Sequence, residues 1–309
     1  MQWKSSLLYT EPLHKKWFSE VFYNFSQTTN QVNRQARDLE LNSERIDSLS
    51  VYYDYGVLYN RAGTSLRYSH EGLNVSAGVA LQQLRLDGTY AGDRGLPPLL
   101  DPLRRTFTNW VPNLDANYQL PNNMWLGVNY GYSVAEPKVS DLQPVPNVNN
   151  PAFRTEGNPD LTPERSHDFN ANFNYWNPAS FSNVGIGVNF SLFDNKIVYN
   201  QTVELIDSVG VRTTSRPANV EGGRQFSTYL WSNFPIVKTK LTLNVGGDID
   251  ASSTPSFVNG VENETTSNGY NIRVGFNLTP GQKLIIGVNG RLGFDFIKYS
   301  IRGDQNQNI

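Results

Sequence analysis

Apolar and polar side chains alternate along most of this chain with a period of two, the spacing that puts successive residues on opposite faces of an extended strand. Met124, Leu126, Val128, Tyr130 and Tyr132 fall on one face between Met124 and Ser133. Phe169, Ala171, Phe173 and Tyr175 do the same over Asp168 to Tyr175, with asparagines behind them. The pattern recurs with Leu73 to Leu81, Leu114 to Leu120, Val184 to Leu192, Leu241 to Ile249, Tyr270 to Leu278 and Leu284 to Phe296. Beyond Phe193 the parity changes to Ile197, Tyr199, Val203 and Leu205, as one inserted bulge residue would require.

Further strands are expected at Trp3 to Tyr9, Lys15 to about Ala36, Tyr52 to Ser69 and Val211 to Phe234, which makes about twelve. Short connections such as Glu11-Pro12-Leu13-His14, Glu71-Gly72, Pro121-Asn122-Asn123 and Asn177-Pro178-Ala179-Ser180 alternate with longer ones. The longer ones are Arg37 to Leu49, Asp87 to Asn109, Val134 to Arg165 and a polar stretch from Ser252 to Asn268. Short turns on one rim and long loops on the other describe an all-β, antiparallel, up-and-down transmembrane β-barrel. No apolar run reaches the length of a membrane helix, but a barrel strand needs only every second residue to be apolar. Trp17, Tyr68, Tyr118, Trp125, Trp176 and Phe234, all beside short turns, are expected to form an interfacial aromatic girdle.

Composition narrows the chemistry. The 26 basic and 28 acidic residues nearly cancel, so no basic footprint points to nucleic acid. Cysteine is absent, which removes disulfides, thiolate catalysis and cysteine-based zinc sites. His14 and His70 lie beside short turns and His167 at the opposite rim, so no shared metal site or His-Ser-Asp geometry is expected, and the protein reads as a non-enzyme without a cofactor. Gly185-Ile186-Gly187 sits inside a strand and is no phosphate loop. Arg302-Gly303-Asp304 is an adhesion-like tripeptide at a polar end, where chance is the better account.

One segment breaks the alternation. Asn150 to His167 carries three prolines and a Gly-Asn-Pro turn, which cannot pair as a central strand. Within it, Gly157-Asn158-Pro159-Asp160-Leu161-Thr162-Pro163-Glu164, running into a polar-apolar strand, resembles the signature segment of TonB-dependent receptors. Tyr132 to Pro137, with Leu142, resembles the strand end that precedes it in that family, although Ala135 stands where an arginine is common; Tyr9-Thr10-Glu11-Pro12-Leu13 and the segment Thr106 to Tyr118, with Val111-Pro112-Asn113-Leu114, resemble in particular the barrel family common in Bacteroidetes. The resemblance implies outer-membrane location and lipid contact, active uptake of a scarce small or oligomeric solute, a plug domain and the TonB system outside this chain, and a larger barrel of about 22 strands.

Residues 1–309 would then be one outer-membrane barrel domain, a fragment lacking plug and signal peptide, with both ends on the long-loop rim. The signature residues Gly157, Asn158, Pro159, Leu161, Pro163 and Glu164 are the family-implied site. The alternation itself gives a second set facing the barrel lumen: Asn129, Asn172, Asn174, Asn189, Asn244, Asp248, Arg273, Asn289 and Arg291. These could hydrogen-bond a plug domain or a polar solute, or could simply be hydrated. A self-contained outer-membrane channel, adhesin or hydrolase is an alternative, and a soluble β-sandwich binding module another. The direction of the apolar faces separates that last reading from the barrel.

Overall fold

The computed structural model describes residues 1–35, 37–38, 44–46, 50–91, 102–142, 147–150, 152–206, 210–281, 283–300 and 305–308. In chain order the strands are β1 (Gln2–His14), β2 (Trp17–Arg34), the two-residue β3 (Arg37–Asp38) and β4 (Glu44–Arg45), β5 (Val51–His70), β6 (Leu73–Ala91), β7 (Leu103–Leu120) and β8 (Met124–Ala135). A helical turn α1 (Val139–Leu142) and the short β9 (Asn147–Asn150) and β10 (Phe153–Thr155) follow, then β11 (Glu164–Asn177), β12 (Ser182–Ile206), β13 (Gly210–Val220), β14 (Arg224–Val237), β15 (Leu241–Val258), β16 (Val261–Gly281), β17 (Leu284–Tyr299) and β18 (Gln305–Asn308).

Each long strand pairs antiparallel with the next in the order β1-β2-β5-β6-β7-β8-β11-β12-β14-β15-β16-β17-β18, and the sheet is not closed on itself. The twelve expected strands are therefore present, with β18 a short addition at one edge. The register assigns every residue to a face. Leu126 stands opposite Phe173, Val188 opposite Thr228, Leu243 opposite Phe276, and Val274 between Val245 and Gly290. All lie on one apolar face, which protein leaves uncovered: Val288 is 66% exposed and Ile272 57%. A soluble sandwich would have buried that face.

Four expectations change. Glu11 to His14 does not turn; β1 runs through His14 and the turn is Lys15-Lys16. Asp87–Ala91 and Leu103–Asn109 are strand, and residues 92–101 of that expected loop lie outside the described residues, as do residues 302–304. Ser252 to Asn268 is no loop: β15 and β16 stay paired up to Val258 opposite Val261 and turn through Asn259-Gly260. Both turn residues have positive φ, 50° and 75°, the backbone that Asn-Gly favours in a two-residue hairpin. Polar residues can continue a ladder above a membrane, where neither face needs to be apolar. Val211 to Phe234 is likewise two strands, because Gly222 and Gly223, at φ 84° and 105°, make a corner between β13 and β14.

The expected bulge is present. Arg165 pairs with Asn195 but Ser166 pairs with Phe193, so Asp194 is the extra residue. Below it β12 pairs with β14 from Asn183 to Leu192; above it β12 pairs with β13 from Lys196 to Ile206. One 25-residue strand thus belongs first to the wall and then to a projecting hairpin.

On the polar face, rings lie over cross-strand glycines. A Cβ added at Gly185 would stand 2.2 Å from the Trp231 indole, one at Gly187 2.2 Å from the Tyr229 ring, and one at Gly63 2.6 Å from Phe22. These glycines are required by close approach of a ring; no turn demands them.

Candidate functional site

The signature segment folds back over the polar face. Leu161 is 1% exposed and packs with Leu142 of α1 and with Leu84 and Leu86 of β6. Val57 and Tyr59 of β5, Leu103 and Phe107 of β7 and Ile197 of the β12–β13 hairpin border this cluster. Leu84 and Leu86 share the parity of Ala80 and Gln82, opposite to Val79 and Leu81, so an apolar patch occupies the upper part of the otherwise polar face. The described parts of the connection between β8 and β11 cover that patch through Leu142 and Leu161 and meet the hairpin through Asp141 and Asn158.

Polar contacts fix the loop in place. The Asn158 backbone amide donates to the Asp141 carbonyl at 2.6 Å, its side-chain amide donates to the Pro217 carbonyl at 3.1 Å, and its side-chain oxygen accepts from the Asp160 amide. The Asn195 side chain, in a buried residue, donates to the Thr162 hydroxyl at 2.9 Å and to the Pro163 carbonyl at 2.6 Å. Asn219 closes a two-way clasp on Thr162, accepting from its amide at 2.8 Å and donating to its carbonyl at 3.0 Å. Glu164 accepts from the Ile197 amide at 2.8 Å, and Arg105 pairs with Asp160 at 2.6 Å. Residues Phe153 to Thr155 add a parallel strand to the free edge of β13. Asn158, Leu161, Pro163 and Glu164 thus make structural clasps, with Gly157 and Pro159 in the same segment beside them.

Beside the cluster, Tyr53 and Tyr90 stack at 4.0 Å with planes 18° apart, both nearly inaccessible. Burial pushes both phenols above their ordinary range. In the hairpin, Tyr199 donates to Asp141 at 3.0 Å, and burial followed by that bond and the Asp141 charge raises its pKa.

The nine polar residues expected on one face do share it. Asn170 stands between Asn129 and Asn189, Asn172 between Gly127 and Gly187, and Asn174 between Trp125 and Gly185. The Asn172 side-chain oxygen is buried without a protein partner. The same register overturns part of the expected girdle. Trp17, Tyr68, Tyr118 and Phe234 are on the apolar face, but Trp125 and Trp176 are on the polar one, because side chains alternate and Met124 and Tyr175 take the apolar positions.

The remaining five polar residues form a ladder across β15, β16 and β17. Its rows are Asn244·Gly275·Asn289, then Gly246·Arg273·Arg291, then Asp248·Asn271·Gly293, then Asp250·Gly269·Asp295. Arg273 pairs with Asp248, and Arg291 donates to the Asn271 side-chain oxygen at 2.7 and 3.1 Å. Asn271 in turn donates to Asp248 at 2.7 Å. A depression of about 400 Å³ adjoins the lower two rows, bordered by Trp231, Asn233, Asn244, Arg273, Asn289 and Arg291.

Sequence reasoning missed Asn195 and Asn219, whose roles depend on a loop folding back, and Asp168, which accepts from Ser133, Ser166 and Ser191 at 2.7, 3.0 and 2.6 Å. Strand parity could have found Asp168, since all four side chains are on the polar face. His14, His70 and His167 do not converge, and no group of metal-ligating side chains occurs among the described residues. No helix among those residues is long and apolar enough to cross a membrane.

A sequentially ordered antiparallel sheet of twelve long strands, with an uncovered apolar face, a polar face and short turns along one rim, is a β-barrel wall of the outer-membrane kind. The chain belongs to the outer membrane protein beta-barrel family, whose family model matches residues 2–308, and the protein is located in the outer membrane. Among solved structures it resembles the FrpB iron transporter from Neisseria meningitidis. The F5-1 variant superposes with a TM-score of 0.54 at 11% identity, covering 96% of this chain and 48% of that one. Its apoprotein form gives 0.53 at 10%, covering 96% and 49%, and the F3-3 variant 0.52 at 10%, covering 96% and 47%. At such identities the likeness is one of fold. The chain spans about half the length of the solved structures it matches. No curated protein matches it.

Proposed function

We propose that the chain is the barrel part of a TonB-dependent outer-membrane receptor of the type common in Bacteroidetes, taking up a scarce solute without catalysing its conversion. The observation that carries this reading is the fold likeness, over 96% of the chain, to about half of an iron transporter. The mouth supports it by offering, where a solute would enter, a loop clasped by Asn158, Asn195 and Asn219 over the polar face. In this reading the polar face bounds the lumen, where Asn129, Asn172, Asn174, Asn189, Asn244, Asp248, Arg273, Asn289 and Arg291 meet a plug domain or the passing solute. The apolar face meets lipid, and the solute is first held among the long loops above Leu161.

The test is uptake by cells carrying the gene, measured before and after collapse of the inner-membrane proton gradient and in cells without TonB. Energised, TonB-requiring accumulation of a solute that deletion cells fail to take up is the expected result. Uptake that follows the outside concentration and ignores TonB would sink the proposal and leave a passive channel.

A further inference from the structure

The ladder on β15–β17 carries a charge arrangement that a hydrated wall does not call for. Arg273 and Arg291 stand directly opposite each other on neighbouring antiparallel strands and on the same face. Like charges in that position destabilise a sheet unless an anion compensates both. Asp248 compensates Arg273. Arg291 reaches a neutral amide oxygen instead, and among the described residues no carboxylate lies within ion-pair distance of it. The carboxylates of Asp250 and Asp295 are two rows away, flanking Gly269, so roughly 14 Å of strand rise separates them from the arginines. Arg291 is thus held apart from the Asp250 and Asp295 carboxylates, with Asp295 four residues away along β17.

Geometry around the unpaired cation completes the picture. The depression of about 400 Å³ lies on the side of the arginines away from the aspartates, and the next row supplies the side-chain amides of Asn244 and Asn289. An Arg273 and Arg291 pair has planar donors suited to a two-oxygen anion, and amides below it add donors for a third oxygen. Gly246 carries no side chain and leaves the floor of the depression open beside Arg273, while the Asn289 side chain lies across Gly275.

We infer that this depression is an oxyanion site for a carboxylate, held by Arg291 and Arg273 with Asn244 and Asn289 as further donors. The inference rests on the reading above only in placing this face toward the barrel interior. A carboxylate could arrive there on a free solute or on an acidic side chain of a protein segment inside the barrel; the recognition chemistry is the same.

The experiment separates those sources. The chain, purified in detergent, is titrated with citrate and, as an uncharged control of similar size, with sorbitol, using calorimetry and the thermal unfolding midpoint. Citrate is expected to bind and raise the midpoint while sorbitol does neither. Arg291→Gln is expected to weaken citrate binding by at least about tenfold, the loss of one charge-assisted contact, with Arg291→Lys intermediate.

In a second arm, native outer membranes prepared without added solute are digested with protease. A free-solute site leaves wild type and Arg291→Gln cleaved alike until citrate is added. A site filled by a protein carboxylate makes Arg291→Gln more easily cleaved with no solute present and blocks citrate in the membrane-held protein. Citrate behaving like sorbitol, together with an Arg291→Gln variant indistinguishable in both arms, would overturn the inference and leave the uptake reading standing. Citrate binding in a protein whose deletion changes no uptake would leave the site and remove that reading.

Discussion

Leu161 is the residue through which the mouth loop engages the wall, and removing its side chain gives a calculable result. It is 1% exposed and touches Leu84, Leu86 and Leu142. Truncating a buried leucine to alanine costs about 2–5 kcal/mol; the loop can settle partly into the gap, so the lower half of that range, about 2–3 kcal/mol, is expected. The ladders of β5, β6 and β7 do not pass through this loop, so the loss should appear as local opening and leave global unfolding unchanged. By the usual conversion of about 1.4 kcal/mol per factor of ten, exchange at the Asn158 and Leu161 amides should quicken by roughly 30- to 150-fold. Hydrogen exchange read by mass spectrometry in detergent measures it, with Leu205→Ala, an 88% exposed site on the same hairpin system, as control. Less than about a threefold change at those amides, or an equal change in the Leu205→Ala variant, would show that Leu161 does not hold the loop, and the clasp account would fall.

Asn195→Ala should open the same loop at a cost of about 1–3 kcal/mol, because the Pro163 carbonyl and the Thr162 hydroxyl both lose their partner; protease cleavage between Glu136 and Pro163 reads it. Gly187→Ala should destabilise the wall by about 1–3 kcal/mol by pushing on the Tyr229 ring, and Tyr229→Ala in the same chain should recover most of that loss, as a double-mutant cycle in urea would show. Val288→Arg on the apolar face should cost up to about 2–4 kcal/mol in lipid vesicles while Asn289→Arg, one position away on the opposite face, folds normally; equal behaviour would refute the assignment of faces. Tyr90 and Tyr53 have folded pKa values raised above the unfolded value near 10, so the stability linked to them is complete below that pH and is lost as pH climbs through the higher folded values. Absorbance at 295 nm should therefore show fewer phenols titrating at the ordinary pH in wild type than in the urea-unfolded chain, with Tyr53, Tyr90 and Tyr199 among those held back.

The wall was legible because lipid forces every second residue on it to be apolar, and a period of two survives any choice of polar partner. The same rule put Asn189, Asn244 and Arg273 on one face, and a one-residue change of parity disclosed the bulge at Asp194. Where lipid stops, the signal stops. Ser252 to Asn268 looks like a loop because nothing above the membrane needs an apolar residue, and the Asn259-Gly260 turn that pairs it was the better guide. Trp125 and Trp176 were misplaced because nearness to a turn fixes height on the wall and parity fixes the face. The mouth was recognisable as a special segment from its prolines, but its partners were not: Leu161 meets Leu84 some 75 positions earlier and Thr162 meets Asn219 57 positions later, and no local pattern encodes such pairings. Resemblance singled out Gly157 to Glu164, whereas the parts of Asn195 and Asn219 follow only from the folded chain.

The rings that lie over Gly63, Gly185 and Gly187 bear on how much room the polar face leaves. A tryptophan standing upright from a strand would reach several ångströms into the space beside it, whereas Trp231 and Tyr229 lie along the sheet in notches left by missing side chains. The polar face therefore has low relief at Trp231 and Tyr229, and if it bounds the lumen as proposed, the width there is governed by the curvature of the backbone. A single methyl group at Gly185 or Gly187 would raise a ring off the wall and, in the proposed reading, narrow the lumen from a position beneath the ring.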